Sequence, residues 1–450
     1  MYNKSLLLLA VILGLLSIYQ AFEVLHDDKI VFVSILLFII RLWFYSGISV
    51  KNNLSAIIIA LYIDVGLILS PLFNYVTENI KFADMQHYES TVVIISALLL
   101  FLHIFITKFF HILLKKREDI NFIWKCISKN RLNIYIYVWA FSYFTAIFLN
   151  DYLQIGILGQ PSRPLPFQLG GVIMFYSSIV APAIFFILLD SSYEKGLKKQ
   201  LYWLIILIIL FYGYDMVVRM SKGSFLSLLI PVTFWMIYRQ IFSKKFIVIF
   251  SIPIILVIVL YQTIGELRVN NKGFDIVQII DNVDIYNEEV ILFTVNRLYH
   301  RVFLDSNMMK KTLNHSDSLS DNNFEEVSKE GGITKYHKQV IDGLSPNLVH
   351  SSGSSGFGGS FMIGGVPIAI FTLIIFSLMG VYNDTGNLGF ISLTISGKVI
   401  FLIFLYSTMS GGFWNLMMKD IEILLVWPAV FLFHNYYARK YYKKYMQYQQ

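Results

Sequence analysis

The sequence contains very little cysteine and very little charge. Cys126 is the single cysteine in 450 residues, which excludes an intrachain disulfide framework and a cysteine-based metal site. Charged residues make up 14% of the chain, against about 25% in soluble globular domains. Hydrophobic residues make up 56%, too many to be hidden in a water-soluble core, so the composition predicts a membrane protein. The net charge of +7 does not indicate nucleic-acid binding, because Lys and Arg are concentrated in short loops between apolar segments.

Several motifs of soluble enzymes are also absent from the sequence. It has no HExxH pair, no P-loop and no GxGxxG in a dinucleotide-binding context. The glycines Gly353, Gly356, Gly358 and Gly359 lie in a loop beside an apolar segment and match no nucleotide-binding pattern. We therefore expect neither a metal nor a cofactor.

Twelve apolar segments are each long enough to cross a hydrocarbon core of about 30 Å. They are residues 5–25, 30–48, 54–73, 91–113, 132–150, 170–189, 200–218, 223–240, 246–264, 361–381, 391–410 and 421–438. The sequence therefore predicts an all-α polytopic membrane protein with about 12 transmembrane helices. Helices one to nine fall within residues 1–265, a long polar segment covers 266–360, and helices ten to twelve with a basic tail cover 361–450.

Lys and Arg are distributed unevenly between the loops. With the N-terminus in the cytoplasm, the inner loops contain the run Lys115-Lys116-Arg117 and the tail contains Arg439, Lys440, Lys443 and Lys444. The short loops on the other side contain far fewer cations. This bias predicts two cytoplasmic termini and a long segment 266–360 on the outer face.

Several predicted spans contain charged or polar residues that hydropathy alone would not permit. Arg41 and Asp64 lie midway along the second and third spans, and an unpaired charge at that depth costs several kcal/mol. We favour a structural ion pair between them over a role in substrate binding. His103 is interpreted as a hydrogen-bonded core histidine, and Lys398 is expected to extend its ammonium toward the cytoplasm.

The long polar segment has three parts. Apolar residues recur at helical spacing over 275–311, which predicts helices near the membrane surface. Residues 314–338 are polar and poor in aromatics, which is typical of a mobile surface excursion. The Gly/Ser-rich end, 344–365, is interpreted either as a flexible hinge or as a tight helical start packed on its neighbours.

The outer face predicted by this topology is rich in cations that suit pyrophosphate, whose oxygens the guanidinium fork binds bidentately. These candidate binding residues are Arg219, Lys222, Arg268, Arg297 and Arg301. Small residues at the start of the eighth span add backbone N–H groups beside Arg219 and Lys222. His350 and Glu266, one at each end of the polar segment, are the candidates for a base near an acceptor hydroxyl.

Four short stretches resemble Wzy-type O-antigen polymerases. They are Val218-Arg219-Met220-Ser221-Lys222-Gly223-Ser224-Phe225, Glu266-Leu267-Arg268, Asn296-Arg297-Leu298-Tyr299 and Ser345-Pro346-Asn347 before a Gly-rich helix start. The topology is similar too, with many spans, one large outer loop and cytoplasmic ends. The resemblance implies a GT-C-like fold and an inverting, metal-independent glycosyltransferase of the bacterial inner membrane. Such an enzyme moves a growing glycan from undecaprenyl pyrophosphate onto the next lipid-linked repeat unit at the periplasmic face.

The resemblance also implies roles and partners. Arg219, Arg268, Arg297 and His350 would match the arginines and loop histidine of the related O-antigen ligases. The partners would be the undecaprenyl pyrophosphate-linked oligosaccharide, membrane lipid, a Wzz-type chain-length regulator and the flippase of the same pathway. Two alternatives stay open: an O-antigen ligase, which differs in its acceptor, and a flippase or transporter of the lipid-linked oligosaccharide. The concentration of outer cations around one large loop favours an enzyme over a transporter with repeated halves.

Overall fold

Every regular element that the structure describes is helical. The structure is a computed structural model, and it describes residues 2–76, 88–120, 123–155, 166, 169–218, 222–241, 303–316, 325, 327, 336, 356–411 and 421–450. The helices in chain order are α1 (Tyr2–Gln20), α2 (Asp28–Ser46), α3 (Leu54–Ile63), α4 (Ser70–Val76), α5 (Glu89–Leu113), α6 (Lys129–Tyr152), α7 (Leu169–Phe175), α8 (Ala181–Glu194), α9 (Lys198–Val218), α10 (Lys222–Arg239), α11 (Leu304–Ser316), α12 (Gly356–Thr385), α13 (Phe390–Leu393), α14 (Ile395–Gly411) and α15 (Ile421–Gln449). Single π-helical turns continue α1 (Ala21–Leu25) and α3 (Asp64–Ile68) and join α7 to α8 (Tyr176–Val180), and a short 3₁₀ turn covers Ile123–Cys126.

Six helical segments are long and apolar enough to cross a membrane. They are Lys4–Leu25, Asp28–Ser46, Glu89–Leu113, Lys129–Tyr152, Leu169–Glu194 and Gly356–Thr385, and two shorter apolar helices cover Leu54–Ile68 and Ile395–Met409. Large apolar side chains on these helices face outward, such as Ile112 at 84% exposed and Phe141 at 75%. Lipid has to cover such a surface. The expectation of an α-helical, membrane-embedded protein is therefore confirmed.

Helices coincide with eleven of the twelve predicted segments, and the ninth, residues 246–264, lies outside the described residues. Four of the predicted segments are interrupted, among them 170–189 by a π turn and 391–410 at Thr394. Residues 54–73 form α3, a π turn and then α4 rather than one helix. Within α12, Gly364 and Gly365 leave the helical conformation. The total of twelve spans and a GT-C-like arrangement remain predictions.

The chain divides into two compact units. Unit 1 contains Met1–Arg117, Asn296–Leu388 and Phe404–Leu425, and unit 2 contains Glu118–Val295, Gly389–Ile403 and Val426–Gln450. Unit 1 therefore gathers α1 to α5, α11 and α12, and it also contains most of the polar side chains discussed below. Unit 2 is built mainly from α6 to α10.

Buried polar side chains hold the core of unit 1 together. Arg41 donates through Nε and Nη2 to the same carboxylate oxygen of Asp64, at 2.9 and 2.5 Å, and both residues are fully buried, so the predicted ion pair is confirmed. His103 Nε2 lies 2.9 Å from the carbonyl of Ala56 and its Nδ1 lies 2.8 Å from the Ser377 hydroxyl. Because a carbonyl only accepts, Nε2 carries the proton. His103 is thus a hydrogen-bonded core histidine, as predicted.

Two further contacts satisfy backbone groups where helices of unit 1 begin or break. The Gln20 amide donates to the carbonyl of Ile68 at 2.9 Å and accepts from the amide of Leu72 at 3.0 Å, where the π turn gives way to α4. Asp384, near the end of α12, accepts from the amides of Ser55 and Ala56, both at 3.1 Å. A carboxylate at the start of α3 satisfies two free N–H groups and complements the helix dipole.

Unit 2 contains its own buried ion pairs. Arg239 at the end of α10 pairs with Asp190 and Glu194 of α8, and the Trp235 indole donates to Asp190 at 3.1 Å. Lys398 is 2% exposed, and its ammonium donates to Asp119 at 2.6 Å. Asp119 belongs to the loop that the Lys/Arg bias places in the cytoplasm, so the direction predicted for Lys398 stays a prediction, while its ammonium binds a carboxylate rather than water.

Candidate functional site

Helix α11 is a polar helix buried inside unit 1. It follows Phe303 in the long polar segment and begins with Asp305 in its first turn. Its buried polar residues are Asp305, Ser306, Asn307, Lys310 and Thr312, and its buried apolar residues are Met308, Met309 and Leu313. A helix that is polar and yet covered on most of its surface is unusual, because each buried polar group needs a partner. The prediction of helices near the membrane surface over 275–311 stays a prediction, and for 304–311 the structure shows a helix that is buried among its neighbours.

Asp305 is the point at which four segments of unit 1 meet. Its Oδ2 accepts from the Tyr62 hydroxyl of α3 at 2.5 Å, and its Oδ1 accepts from the amide of Gly358 in the first turn of α12. The Tyr62 hydroxyl also lies 3.2 Å from the carbonyl of Met409 in α14. The segments touch because residue 356 is glycine: a Cβ there would lie 2.6 Å from the Met409 carbonyl oxygen. A charged acceptor with two donors inside an apolar unit is a strong local anchor.

The first part of α12 folds back on the rest of the helix. Along a continuous α-helix, Ser360 and Thr372 would lie about 18 Å apart, at 1.5 Å per residue. Their hydroxyl oxygens are 2.9 Å apart. The rings of Phe357 and Phe376 likewise meet edge to face at 5.9 Å between centroids. Residues 356–363 and the helix that follows Gly365 therefore form a helical hairpin.

Gly365 makes the reversal possible. Its φ of +61° and ψ of −150° lie in a region that is essentially restricted to glycine. Pro367 follows two residues later, in the first turn of the second helix. Proline lacks an amide hydrogen, and this costs nothing in a first turn, where the amide has no acceptor within the helix. The hairpin buries all of residues 356–365. Of the two interpretations of the Gly-rich end, the tight helical start packed on its neighbours is confirmed for this stretch.

A second charged contact holds α11 one and a half turns beyond Asp305. The Lys310 ammonium lies 3.3 Å from Oε1 of Glu89, the first residue of α5, and the Asn74 amide donates to the same oxygen at 2.6 Å. Burial lowers the pKa of Lys310, and the charge of Glu89 partly offsets this shift. Glu89 also complements the positive end of the α5 dipole. A buried ammonium beside a shared carboxylate is thus built into the same unit as Asp305.

Apolar contacts enclose α11 on its other side. Met308 packs in one buried cluster with Met362 and Ile363 of the hairpin and with Val327 and Tyr336. The prediction of a mobile surface excursion over 314–338 is wrong for Val327 and Tyr336, which are fully buried. Apolar side chains in an otherwise polar stretch anchor it to the unit.

The residues predicted for substrate binding fall almost entirely outside the described part of the chain. This holds for Arg219, Arg268, Arg297, Arg301, Glu266 and His350. Lys222 is described as the first residue of α10, which agrees with the predicted start of the eighth span near 223. The arrangement of these side chains lies outside the described residues, and their roles remain predictions.

Sequence reasoning did not select Tyr62, Glu89, Asp305 or Lys310. Asp305 opens a helix with an acidic first turn, which is a signal for a helix start but not for burial. Among the described residues, no group of three His, Cys, Asp or Glu side chains is arranged to hold a metal ion. What the described site can do chemically is anchor a polar segment with charged groups inside an apolar unit.

Comparison with known proteins found no match: no family model, no curated protein and no solved structure is significantly similar to the chain.

Proposed function

We propose that this protein is a polymerase of lipid-linked oligosaccharides, of the Wzy-type O-antigen class that the sequence resembles. It would lie in the bacterial inner membrane with about twelve spans and both termini in the cytoplasm. It would transfer a growing glycan from undecaprenyl pyrophosphate onto the next lipid-linked repeat unit at the periplasmic face. The long apolar helices support a membrane location.

The buried polar helix α11 is the observation on which the proposal depends. Asp305 binds Tyr62 and the amide of Gly358, and Lys310 binds Glu89. The long polar segment is thereby fixed to the apolar helices at α11 and again at residues 356–365. A loop that only connected two spans would not need buried charges, which are costly to desolvate. A loop that holds a lipid-linked substrate in a fixed geometry does need a rigid base.

The covalent chain keeps two of the predicted site residues close to these anchors. Arg301 precedes Leu304 by three residues, so their Cα atoms can be at most about 11 Å apart. His350 precedes Gly356 by six residues, which limits that separation to about 22 Å. The hydrogen bond from the Gly358 amide to the Asp305 carboxylate in turn joins α11 to the start of α12. This supports a common site for Arg301 and His350.

The proposed reaction is an inverting glycosyl transfer. The acceptor hydroxyl attacks the anomeric carbon of the donor, the new glycosidic bond forms, and the bond between that carbon and the pyrophosphate oxygen breaks. The electron pair leaves with the undecaprenyl pyrophosphate. Arg219, Lys222, Arg268, Arg297 and Arg301 would stabilise that charge, since one cation neutralises only part of it. The neutral imidazole of His350, or the carboxylate of Glu266, would accept the hydroxyl proton.

A transporter or flippase of the same lipid is the second candidate, and one observation favours it. Helix α12 is broken at Gly364 and Gly365, and α3 is interrupted by a π turn. Discontinuous membrane helices are typical of transporter binding sites. Polymerase and transporter make different predictions for a cell that lacks the protein.

The deciding experiment is a lipopolysaccharide gel of a strain that lacks the gene. Loss of a polymerase leaves a single repeat unit on the surface, and loss of a flippase leaves none. Loss of a ligase leaves bare lipid A-core together with lipid-linked polymer. Surface polymer of normal length in the deletion strain would refute the proposal.

The residue roles can be separated in an assay with purified protein and a lipid-linked repeat unit. His350→Ala should lower turnover by about 10²- to 10⁴-fold with little change in donor binding. The matched control is His315→Ala, because His315 is exposed at the end of α11. Arg219→Ala should weaken donor binding and turnover together, and Arg219→Lys should restore them only in part, because it lacks the bidentate fork. Full turnover by His350→Ala would move the base to Glu266, or to a mechanism without a strong base.

A further inference from the structure

Cationic side chains crowd the end of unit 1 where α2 and α5 both finish. They are Lys51 after α2, Lys108 near the end of α5, and Lys115, Lys116 and Arg117 directly after it. The last residue of α12, Thr385, lies at the same end, because its carbonyl accepts from the amide of Arg117 at 2.9 Å. Asp384 lies at this end but is buried, and Glu118 follows Arg117 directly, while Asp119 is already paired with Lys398. Five cations therefore outnumber the two remaining carboxylates, which leaves a positive surface.

Lys108 occupies a defined position between α2 and α5. Its ammonium lies 4.9 Å from the ring centroid of Trp43 and 5.9 Å from that of Phe44. Both distances fall within the range of cation–π attraction. The position depends on Gly47, because a Cβ there would lie 2.5 Å from the ammonium nitrogen. Trp43 is 56% exposed, as is usual for a tryptophan at the boundary between lipid and water.

His111 lies three residues after Lys108 and so shares its face of the helix. Its Nε2 is buried and has no hydrogen-bond partner among the described residues. A buried ring nitrogen normally has a partner, in the protein or in a bound molecule. The Lys108 ammonium offers a cation to an anionic oxygen, and the His111 Nε2 on the same helix face is a second group that could meet it.

The apolar side chains on α5 point to the source of such an anion. Phe105, Phe109 and Ile112 are 56%, 47% and 84% exposed, and the rings of Phe105 and Phe109 stack at 6.0 Å. They extend along the helix from the level of Lys108 and His111. A soluble anion would gain nothing from this apolar strip, whereas acyl chains would cover it.

We propose that the end of α2 and α5 binds the headgroup of an anionic phospholipid. Lys108 and His111 contact the phosphate, Trp43 flanks the headgroup, and Lys115, Lys116 and Arg117 attract the lipid from the surrounding leaflet. This site is separate from α11 and does not depend on the proposed polymerase activity. The Lys/Arg bias assigns it to the cytoplasmic leaflet.

Native mass spectrometry of the purified full-length protein, titrated with phosphatidylglycerol or phosphatidylcholine, tests this site. Lys108→Gln should weaken phosphatidylglycerol binding about fivefold, the factor that corresponds to about 1 kcal/mol for one cation near an anionic lipid. Lys29→Gln is the matched control, because Lys29 is exposed at the opposite end of α2. Gly47→Ala should also weaken binding, although it removes no charge, because it displaces the Lys108 ammonium. Size-exclusion profiles establish that each variant is folded.

Three results would overturn the proposal. The first is unchanged phosphatidylglycerol binding in both Lys108→Gln and Gly47→Ala. The second is an equal loss for phosphatidylcholine, which would show that the headgroup charge plays no part. The third is displacement of the bound lipid by inorganic phosphate, which would assign the site to a soluble anion.

Discussion

The helical hairpin in α12 depends on one glycine, and its replacement can be worked through quantitatively. Gly365 has φ +61° and ψ −150°, a region in which a residue with a Cβ is strained by about 1–3 kcal/mol. With RT of about 0.59 kcal/mol, this corresponds to about a 5- to 150-fold smaller folding equilibrium constant for Gly365→Ala. The residue is also buried, so the added methyl group has little room to relax.

Gly213→Ala is the matched control for this change. Gly213 lies inside α9, and a Cβ there would meet nothing within 4 Å. Alanine in a helix interior is favoured over glycine by about 0.5–1 kcal/mol, so the control should be neutral or stabilising. Both variants can be compared by unfolding in mixed detergent–SDS micelles, followed by tryptophan fluorescence. If Gly365→Ala is as stable as the parent protein, the reversal at this glycine is not how α12 is built.

Two other predictions concern the ion pair and the topology. Arg41→Met should destabilise unit 1 by about 3–5 kcal/mol, because it leaves the Asp64 carboxylate buried without its cation. The double variant with Arg41→Met and Asp64→Leu should lose much less stability. If the single and the double variant lose the same stability in the SDS titration, the two residues are not a coupled pair. In a Cys126→Ala background, a membrane-impermeant thiol reagent should label Ser320→Cys but not Ser128→Cys in intact spheroplasts. The opposite labelling pattern would reverse the predicted orientation.

The features that could be predicted from the sequence are those that depend on local composition. A run of about twenty apolar residues has to be helical in lipid, because no water satisfies the backbone, so the segments were found with bounds close to the observed ones. Arg41 and Asp64 could be paired because charges at that depth rarely stay alone. His103 followed from the same argument.

The features that could not be predicted depend on contacts between distant residues. Hydropathy is averaged over a window of residues and does not report the path of the backbone. The apolar run 361–381 is therefore predicted as one span, although the chain reverses at Gly365. Lys310 and Asp305 belong to a polar stretch, and their burial depends on Glu89 and Tyr62, which lie more than two hundred residues earlier. Nothing in the composition of α11 distinguishes a helix that binds such partners from one on the surface.

The contact between Asp384 and the start of α3 has a consequence for the order in which the protein is made. The amide of Ser55 leaves the ribosome 329 residues before the carboxylate that accepts from it. At about 5–20 residues per second, that interval lasts for tens of seconds. Throughout this time α3 lies in the nascent protein with its first amides lacking their acceptor, and His103 lacks Ser377. The first three-quarters of the chain therefore lacks these hydrogen bonds until the last quarter has been synthesised.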